Sequence, residues 1–301
     1  MIDKSVAIAA LARNCEESLP TNISRIEKLR KSFSCSAVFL YENNSTDRTK
    51  AILREWQERN DAVYLQSENI DESIYRANGN VGKLNRGTGE GRIRKMCDCR
   101  NKLLDLIKSR GSFDYVIFVD IDIEWFSVEG VVKSIENAPK DWGGLFANCY
   151  VTYRNGVQVF DNPMHYDTFA ILESGKKLEQ IRLSDLNPYR RIILANKIYK
   201  EVNNTCYYKC ESAFGGIGIY KGEIIEGLKY ELYKPMSWNN ANSALCEHIF
   251  FNSKVAGEKY IAKDLRVRYQ WSDVHGMKWM FVRYFPILYS MIGNVIGHLN
   301  K

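Results

Sequence analysis

The chain has 301 residues, 45% of them hydrophobic and 26% charged, with a net charge of +6. That length allows one large domain or two small ones with a sizeable core, and the composition is that of a soluble globular protein. The mild positive charge suits phosphorylated ligands or an anionic membrane surface. It is not gathered into the basic stripe of a nucleic-acid binder.

The opening MIDKSVAIAALARNCEESLP has an apolar run too short for a secretory leader and reads as a first strand over 6–12. Eight cysteines without such a leader point to free thiols in a reducing compartment. Cys97 and Cys99, and Cys206 and Cys210, lack the two-residue gap of zinc pairs and read as small buried or half-buried thiols. Ile23, Ile26 and Leu29 recur at helical spacing, with Lys28, Arg30 and Lys31 near the helix end, where they suit its dipole. A second strand over 37–41 runs into 42–49, ENNSTDRT, and then into a helix carrying Ile52, Leu53 and Trp56. Ser45, Thr46 or Asp47 can cap that helix. A short third strand occupies 63–65.

Residues 78–94, NGNVGKLNRGTGEGRIR, are rich in glycine and basic side chains and read as a mobile loop. A helix over 95–109 follows, with Met96, Leu103, Leu104 and Ile107 for its buried face. Strict alternation of strand and helix implies a parallel sheet with helices on both faces. The next strand, YVIFV at 115–119, is an unbroken apolar run of the kind buried on both faces, and it stops at Asp120 and Asp122. Ligands of open α/β sheets sit at the carboxyl ends of strands. Two carboxylates there would hold a hard divalent cation and, through it, the phosphates of a donor. Solvated loop charges are the alternative for a bare D-x-D pattern.

The second half is less regular. Strands over 145–153 and 156–160 flank a turn at Arg154, Asn155 and Gly156, because Asn-Gly between apolar runs is a hairpin pattern. A basic helical stretch covers 184–201. SAFGGIGIY at 212–220 reads as a Gly-rich strand where backbone approaches a ligand, so Gly215 and Gly216 are acceptor-side candidates. A last helix spans 245–255.

The order of these motifs resembles the nucleotide-sugar-binding half of glycosyltransferases with the A-type fold. Ala12, Arg13 and Asn14 end the first strand, Glu42–Thr49 follows the second, and Arg100 and Asn101 precede the D-x-D strand. Asn162–Ala170 (NPMHYDTFA), Phe214-Gly215-Gly216 and Cys246-Glu247-His248 are similar to the fungal capsule-type α-1,3-mannosyltransferases, although the acid expected before Cys246 is replaced by Leu245. The resemblance spans most of 5–255. It implies a Rossmann-like, mostly parallel sheet flanked by helices, with a donor half (1–125) and an acceptor half (126–270) of one domain. It further implies that Ala12, Arg13, Asn14, Glu42, Asn44, Asp47, Arg94, Arg100, Asp120 and Ile121 serve the donor, with Glu42 and Asp47 as nucleoside or helix-cap residues. Asp120 and Asp122 would carry Mn²⁺ or Mg²⁺, with His248 and His275 as further ligands.

Other residues carry two readings each. Glu247 either contacts the acceptor hydroxyl or simply suits a helix N-terminus. His248 is a ligand or a satisfied core residue. Asp161, Tyr166 and Asp167 lie in a segment suited to sugar hydroxyls, with turn formation around Pro163 as the alternative; Asp167 joins Glu247 as a catalytic candidate. Arg92, Arg94 and Lys95 form a diphosphate lid or a solvated charge run. Residues 277–296 are dense in aromatic and apolar side chains but contain Arg283, Pro286 and Asn294, so an amphipathic interfacial helix within 271–301 is expected rather than a membrane span, with a helix packed on the core as the alternative.

The expected protein is a cytoplasmic enzyme, or one peripheral on the inner membrane face. It would transfer a hexose, with mannose from GDP-mannose favoured over a UDP-sugar, to a glycan or lipid-linked glycan acceptor. A nucleotidyltransferase would normally carry a Gly-rich phosphate loop after the first strand, where this chain has Leu11-Ala12-Arg13-Asn14-Cys15. A non-catalytic sugar- or nucleotide-binding protein stays open and predicts binding without turnover.

Overall fold

The computed structural model describes residues 1–76, 89–155, 158–186, 188–238 and 243–271. The expected C-terminal helix and His275 lie outside these residues, as does most of the expected mobile loop.

Four parallel strands build the first half: β1 (Ile2–Ala12), β2 (Phe33–Asn43), β3 (Val63–Glu68) and β4 (Tyr115–Val119). Between them run α1 (Leu19–Arg30), α2 (Thr49–Glu58) and α3 (Glu90–Lys108). Their spatial order is β3-β2-β1-β4, with every neighbouring pair parallel. Alternate residues of β1 explain why an apolar run becomes a central strand: Val6, Ile8 and Ala10 enter one core, Ala7 and Ala9 the other. In β4, Ile117 and Val119 face the first core and Val116 and Phe118 the second. Burial on both sides is what an unbroken Val/Ile/Phe run satisfies.

The second half extends the same sheet with mixed directions. It comprises β5 (Trp125–Phe126), α4 (Val128–Glu136), β6 (Trp142–Asn155), β7 (Gln158–His165), β8 (Leu172–Glu173), α5 (Pro188–Asn204), β9 (Tyr207–Ser212), β10 (Ile217–Lys221), α6 (Gly222–Ile225), α7 (Glu247–Lys254) and β11 (Glu258–Trp271). β10 pairs antiparallel with both β4 and β6, and β11 lies between β6 and β9. The path of the sheet is therefore β3-β2-β1-β4-β10-β6-β11-β9-β8. Residues of α1, α2 and α4 pack on one face and those of α3, α5 and α7 on the other. This is the α/β sheet flanked by helices that the sequence implies, parallel in its first half.

Three local readings change. The 212–220 segment is not one strand: β9 ends at Ser212 and β10 begins at Ile217, and the two are not neighbours in the sheet. The turn between them passes through left-handed backbone at Gly215 (φ 67°) and Gly216 (φ 90°), which only glycine adopts freely. The hairpin exists, but Arg154 and Asn155, expected in its turn, are the paired last residues of β6, with Asn155 opposite Gln158; the two linking residues lie outside the described set. The basic helix starts at Pro188, after a separate turn of 3₁₀ helix at Leu183–Leu186.

Candidate active site

The carboxyl ends of β1, β2 and β4 converge, and their loops are laced together. Asn14 and Asn44 both sit in left-handed backbone, at φ 48° and 53°, a conformation asparagine tolerates well. Asn14 Oδ1 accepts the Thr46 N–H at 2.8 Å, and its own N–H donates to Ser45 Oγ at 3.1 Å. Asn44 binds the Ile70 N–H and C=O, tying the loop after β2 to the segment after β3. Asp47 accepts the Thr49 N–H at the start of α2 and the Glu16 N–H, so it holds the turn into that helix. Glu42 is wholly buried: Ser45 N–H and Ser67 Oγ donate to its two oxygens, at 2.8 and 2.5 Å. Ala12 is buried beneath, and the exposed Arg13 pairs with Glu72, which also accepts from Lys95 at 2.5 Å. Arg94 is exposed and pairs with Glu90 one turn earlier at 3.1 Å.

Beyond β4 the chain turns sharply at the D-x-D pattern. The buried side chain of Asn22 on α1 donates to the carbonyls of Ile121 and Ile123, at 2.8 and 2.7 Å. Ile121 itself points into the core, so its contribution to the site is this anchored backbone. The Asp120 N–H donates to the Gly216 carbonyl at 2.8 Å, and Asp120 Oδ2 accepts the Tyr269 hydroxyl at 2.8 Å. Burial, and then the neighbouring Asp122, push the Asp120 carboxyl up to about 7. Asp122 is exposed, yet burial by the protein around it also raises its carboxyl. A group crowded by protein and still open to solvent lies in a cleft.

The second half supplies the opposite wall. Asp167 is half-buried; its oxygens accept the Gly215 N–H at 3.2 Å and the Ala170 N–H at 3.3 Å, and burial raises its carboxyl despite these bonds. Tyr166 stacks on Tyr269 with ring centres 4.2 Å apart. A Cβ at Gly216 would come within 2.6 Å of the Tyr269 hydroxyl, and one at Gly215 within 2.7 Å of the Ala147 carbonyl. The two glycines therefore allow the close approach of β11, the turn and Asp120. Asp161 lies opposite Thr152 in the β6–β7 ladder.

Glu247 opens α7 and is buried against Arg100, whose Nε donates to Glu247 Oε1 at 3.1 Å; both side chains are about 95% shielded. The Arg100 guanidinium also lies 5.2 Å from the Phe214 ring centre and 5.6 Å from that of Tyr230. Glu247 thus has a counter-charge as well as a helix N-terminus. His248 stacks on Phe214 at 3.9 Å and is buried, which drives its ring far toward the neutral form. It does not join the aspartate pair: among the described residues, no three His, Cys, Asp or Glu side chains gather to hold a metal ion. The ring is packed as an aromatic, and neither of its nitrogens is hydrogen-bonded among the described residues.

Asp120 and Asp122 nevertheless fit a divalent cation by donor type. Both offer hard oxygen, and their mutual repulsion is what a cation relieves. Mg²⁺ in particular is held by one or two carboxylates, with substrate phosphates and water completing its shell. Four acids (Asp120, Asp122, Asp167 and Glu247) stand with Arg100, and Arg191 lies over the Phe169 ring at 4.7 Å near Asp167.

Sequence reasoning missed Asn22, Tyr269, Cys149 and Arg191. Asn22 left a trace, as an amide on the buried stripe between Leu19 and Ile26. Tyr269 left none, since the strand that carries it was not read. Cys149 accepts the Asp167 N–H at 3.4 Å and lies 3.5 Å from His165 Nε2, behind the acceptor-side wall.

Three of the solved structures to which this chain is similar are the following. A mannosyltransferase from Pyrobaculum calidifontis in complex with GDP-Man and Mn²⁺ is 11% identical, covering 94% of this chain and 61% of that one, with a TM-score of 0.47. S. aureus TarS 1–349 with UDP-GlcNAc is 14% identical, covering 91% and 60%, with a TM-score of 0.44. Glucosyl-3-phosphoglycerate synthase from Mycobacterium tuberculosis, with Mn²⁺, UDP and phosphoglyceric acid, is 13% identical, covering 89% and 68%, with a TM-score of 0.37. The chain spans about three fifths of the length of the first two. Residues 5–253 match the family described as Cryptococcal mannosyltransferase 1. That match takes in the cleft residues from Arg13 to Glu247, and the chain belongs to this family.

Proposed function

We propose that the chain is a metal-dependent glycosyltransferase that moves a hexose from a nucleotide-sugar to a glycan or lipid-linked glycan acceptor. The observation that carries this reading is the carboxylate pair at the end of a doubly buried strand, with Asp120 pushed up to about 7 by burial and by Asp122. A Mn²⁺ or Mg²⁺ ion between these two side chains and a diphosphate would neutralise the departing nucleoside diphosphate. Family membership favours mannose, and hence GDP-mannose, over a UDP-sugar.

The chain's own residues divide the remaining work. Tyr269 holds Asp120 in place through its hydroxyl, and Asn22 holds the turn that presents Asp122. Tyr166, Asp161 and the Gly215–Gly216 turn border the acceptor side, where Asp167 is positioned to accept a hydrogen bond from a sugar hydroxyl. Glu247 already accepts from a buried guanidinium. That ion pair occupies one of its oxygens and suits a positioning role better than that of a general base. This supports retention, with the leaving phosphate taking the acceptor proton and Glu247 helping to set the acceptor-side geometry. None of the described helices is long and apolar enough to cross a membrane. A site on the cytoplasmic face of a membrane, reached peripherally, fits a lipid-linked acceptor.

Thermal shift with GDP-mannose, UDP-glucose and UDP-galactose, each with and without Mn²⁺, tests the reading on wild type and Asp122→Ala. A stabilisation that needs both metal and one nucleotide, and that disappears in the variant, is the expected result. No shift with any donor would remove the metal role of the aspartates. Binding without release of free diphosphate would leave a sugar- or nucleotide-binding protein.

A further inference from the structure

Tyr220, Asn252 and Ser212 are fully buried and joined in one hydrogen-bonded chain. The Tyr220 hydroxyl donates to Asn252 Oδ1 at 2.8 Å. The Asn252 amide donates to Ser212 Oγ at 2.9 Å and to the Ala213 carbonyl at 3.0 Å. Ser212 Oγ donates in turn to the Ala170 carbonyl at 2.8 Å. Every donor of the three side chains is used, which rigidifies a buried network rather than burdening it.

The ends of this chain matter more than its middle. Asp167 is held by two backbone N–H groups, those of Ala170 and Gly215. Ser212 pins the carbonyl of the same Ala170, and Asn252 pins Ala213, two residues before Gly215. Asn252 itself sits on α7, five residues beyond Glu247. One amide thus joins the helix that carries Glu247 to both anchors of Asp167, across segments that are far apart in sequence.

We propose that Asn252 is a positioning residue that, with Ser212 and Tyr220, sets the orientation of Asp167 relative to Glu247 on the acceptor side of the site. It touches neither donor nor acceptor. It acts by fixing two carboxylates whose separation the acceptor hydroxyl must match, where displacements of about 1 Å cost on the order of 10²-fold in rate. The kinetic part of this inference rests on the transferase reading; the structural part does not.

Tyr220→Phe and Ser212→Ala each remove one hydroxyl and keep the surrounding packing. Transfer from GDP-mannose is expected to fall about tenfold or more in kcat in each variant, with the donor KM changed less than about twofold. The double variant should lose little beyond the worse single one, because a chain cut twice is still one interrupted chain. Amide exchange followed by NMR supplies a readout independent of activity. The Ala170 and Gly215 N–H groups should exchange faster in Tyr220→Phe, although neither lies in β10. Unchanged kcat together with unchanged exchange at these two amides would overturn the proposal, even if the melting temperature drops. If wild type shows no turnover, the transferase reading fails and the exchange at Ala170 and Gly215 alone decides.

Discussion

Arg100 and Glu247 stand 147 positions apart and meet in a site shielded from water on all sides. An isolated charge there is far costlier than the pair is stabilising. Arg100→Ala is therefore expected to destabilise the protein by about 3–5 kcal/mol in urea denaturation, and Arg100→Met combined with Glu247→Met to recover most of that loss. A cost below about 1 kcal/mol for the single change would mean that water reaches the pair. Tyr269 makes a different kind of contact, a neutral hydroxyl on a carboxylate that candidates as a metal ligand. Partners of this sort typically tune metal affinity 10–100-fold. Tyr269→Phe should weaken Mn²⁺-dependent binding of GDP-mannose by roughly tenfold in a calorimetric titration; unaltered affinity would reduce Tyr269 to packing. Of these residues, Arg100, Glu247 and the two aspartates were legible as motif members. Their pairing was not, because a motif states which side chains are present and says nothing about which of them neutralise each other.

At the scale of elements, β1 and β4 are joined at both ends. At the carboxyl end lies the cleft. At the opposite end, Asp114 accepts from Lys4 Nζ at 2.9 Å, the Ser5 N–H at 2.8 Å and the Ser5 hydroxyl at 2.7 Å. The hydrogen bond from Lys4 and those from Ser5 hold its carboxyl down at about 2. A depressed carboxylate stabilises the folded state above its unfolded value near 3.9, and that contribution fades as pH falls from about 4 toward 2. Wild type should lose melting temperature across this window more steeply than Asp114→Asn, measured by circular dichroism. Parallel acid limbs for the two proteins would show that the contact adds nothing to folding. The strands and helices around it were readable because each carries its own period: two-sided apolar runs for β1, β2 and β4, and three-to-four spacing for α1 and α2. The segment 212–220 misled for a local reason. Its composition is strand-like throughout, and only the left-handed backbone at Gly215 and Gly216 sends its two parts to different places in the sheet.

The described residues are organised around two cores, one on each face of a single sheet. Each core takes side chains from both sides of residue 125: Phe118 packs with Tyr220 and Phe251, and Ile117 with Leu145 and Val267. β10 covers the edge that β4 would otherwise leave open. The donor and acceptor halves are thus proposed to form one folding unit, and tryptophan fluorescence and far-UV circular dichroism should report a single coincident urea transition. Separate transitions would make them two domains. Residues 1–125 expressed alone should give no cooperative transition, since Phe118 and Ile117 lose their partners.

The sequence by itself determined that the first half is a parallel sheet flanked by helices and that two carboxylates sit at a strand end, since both follow from short-range periodicity and from the geometry of open α/β sheets; the spatial order β3-β2-β1-β4 came from the structure. The resemblance in its motifs, which the family match bears out, also lay within the sequence. Only the tertiary structure decided that β10 enters antiparallel beside β4, that Tyr269 reaches Asp120 across 149 positions, and that His248 packs against Phe214 instead of meeting the aspartates. Those outcomes depend on which buried surfaces fill one another and which buried charges find partners, and such choices are made between segments that no local pattern connects.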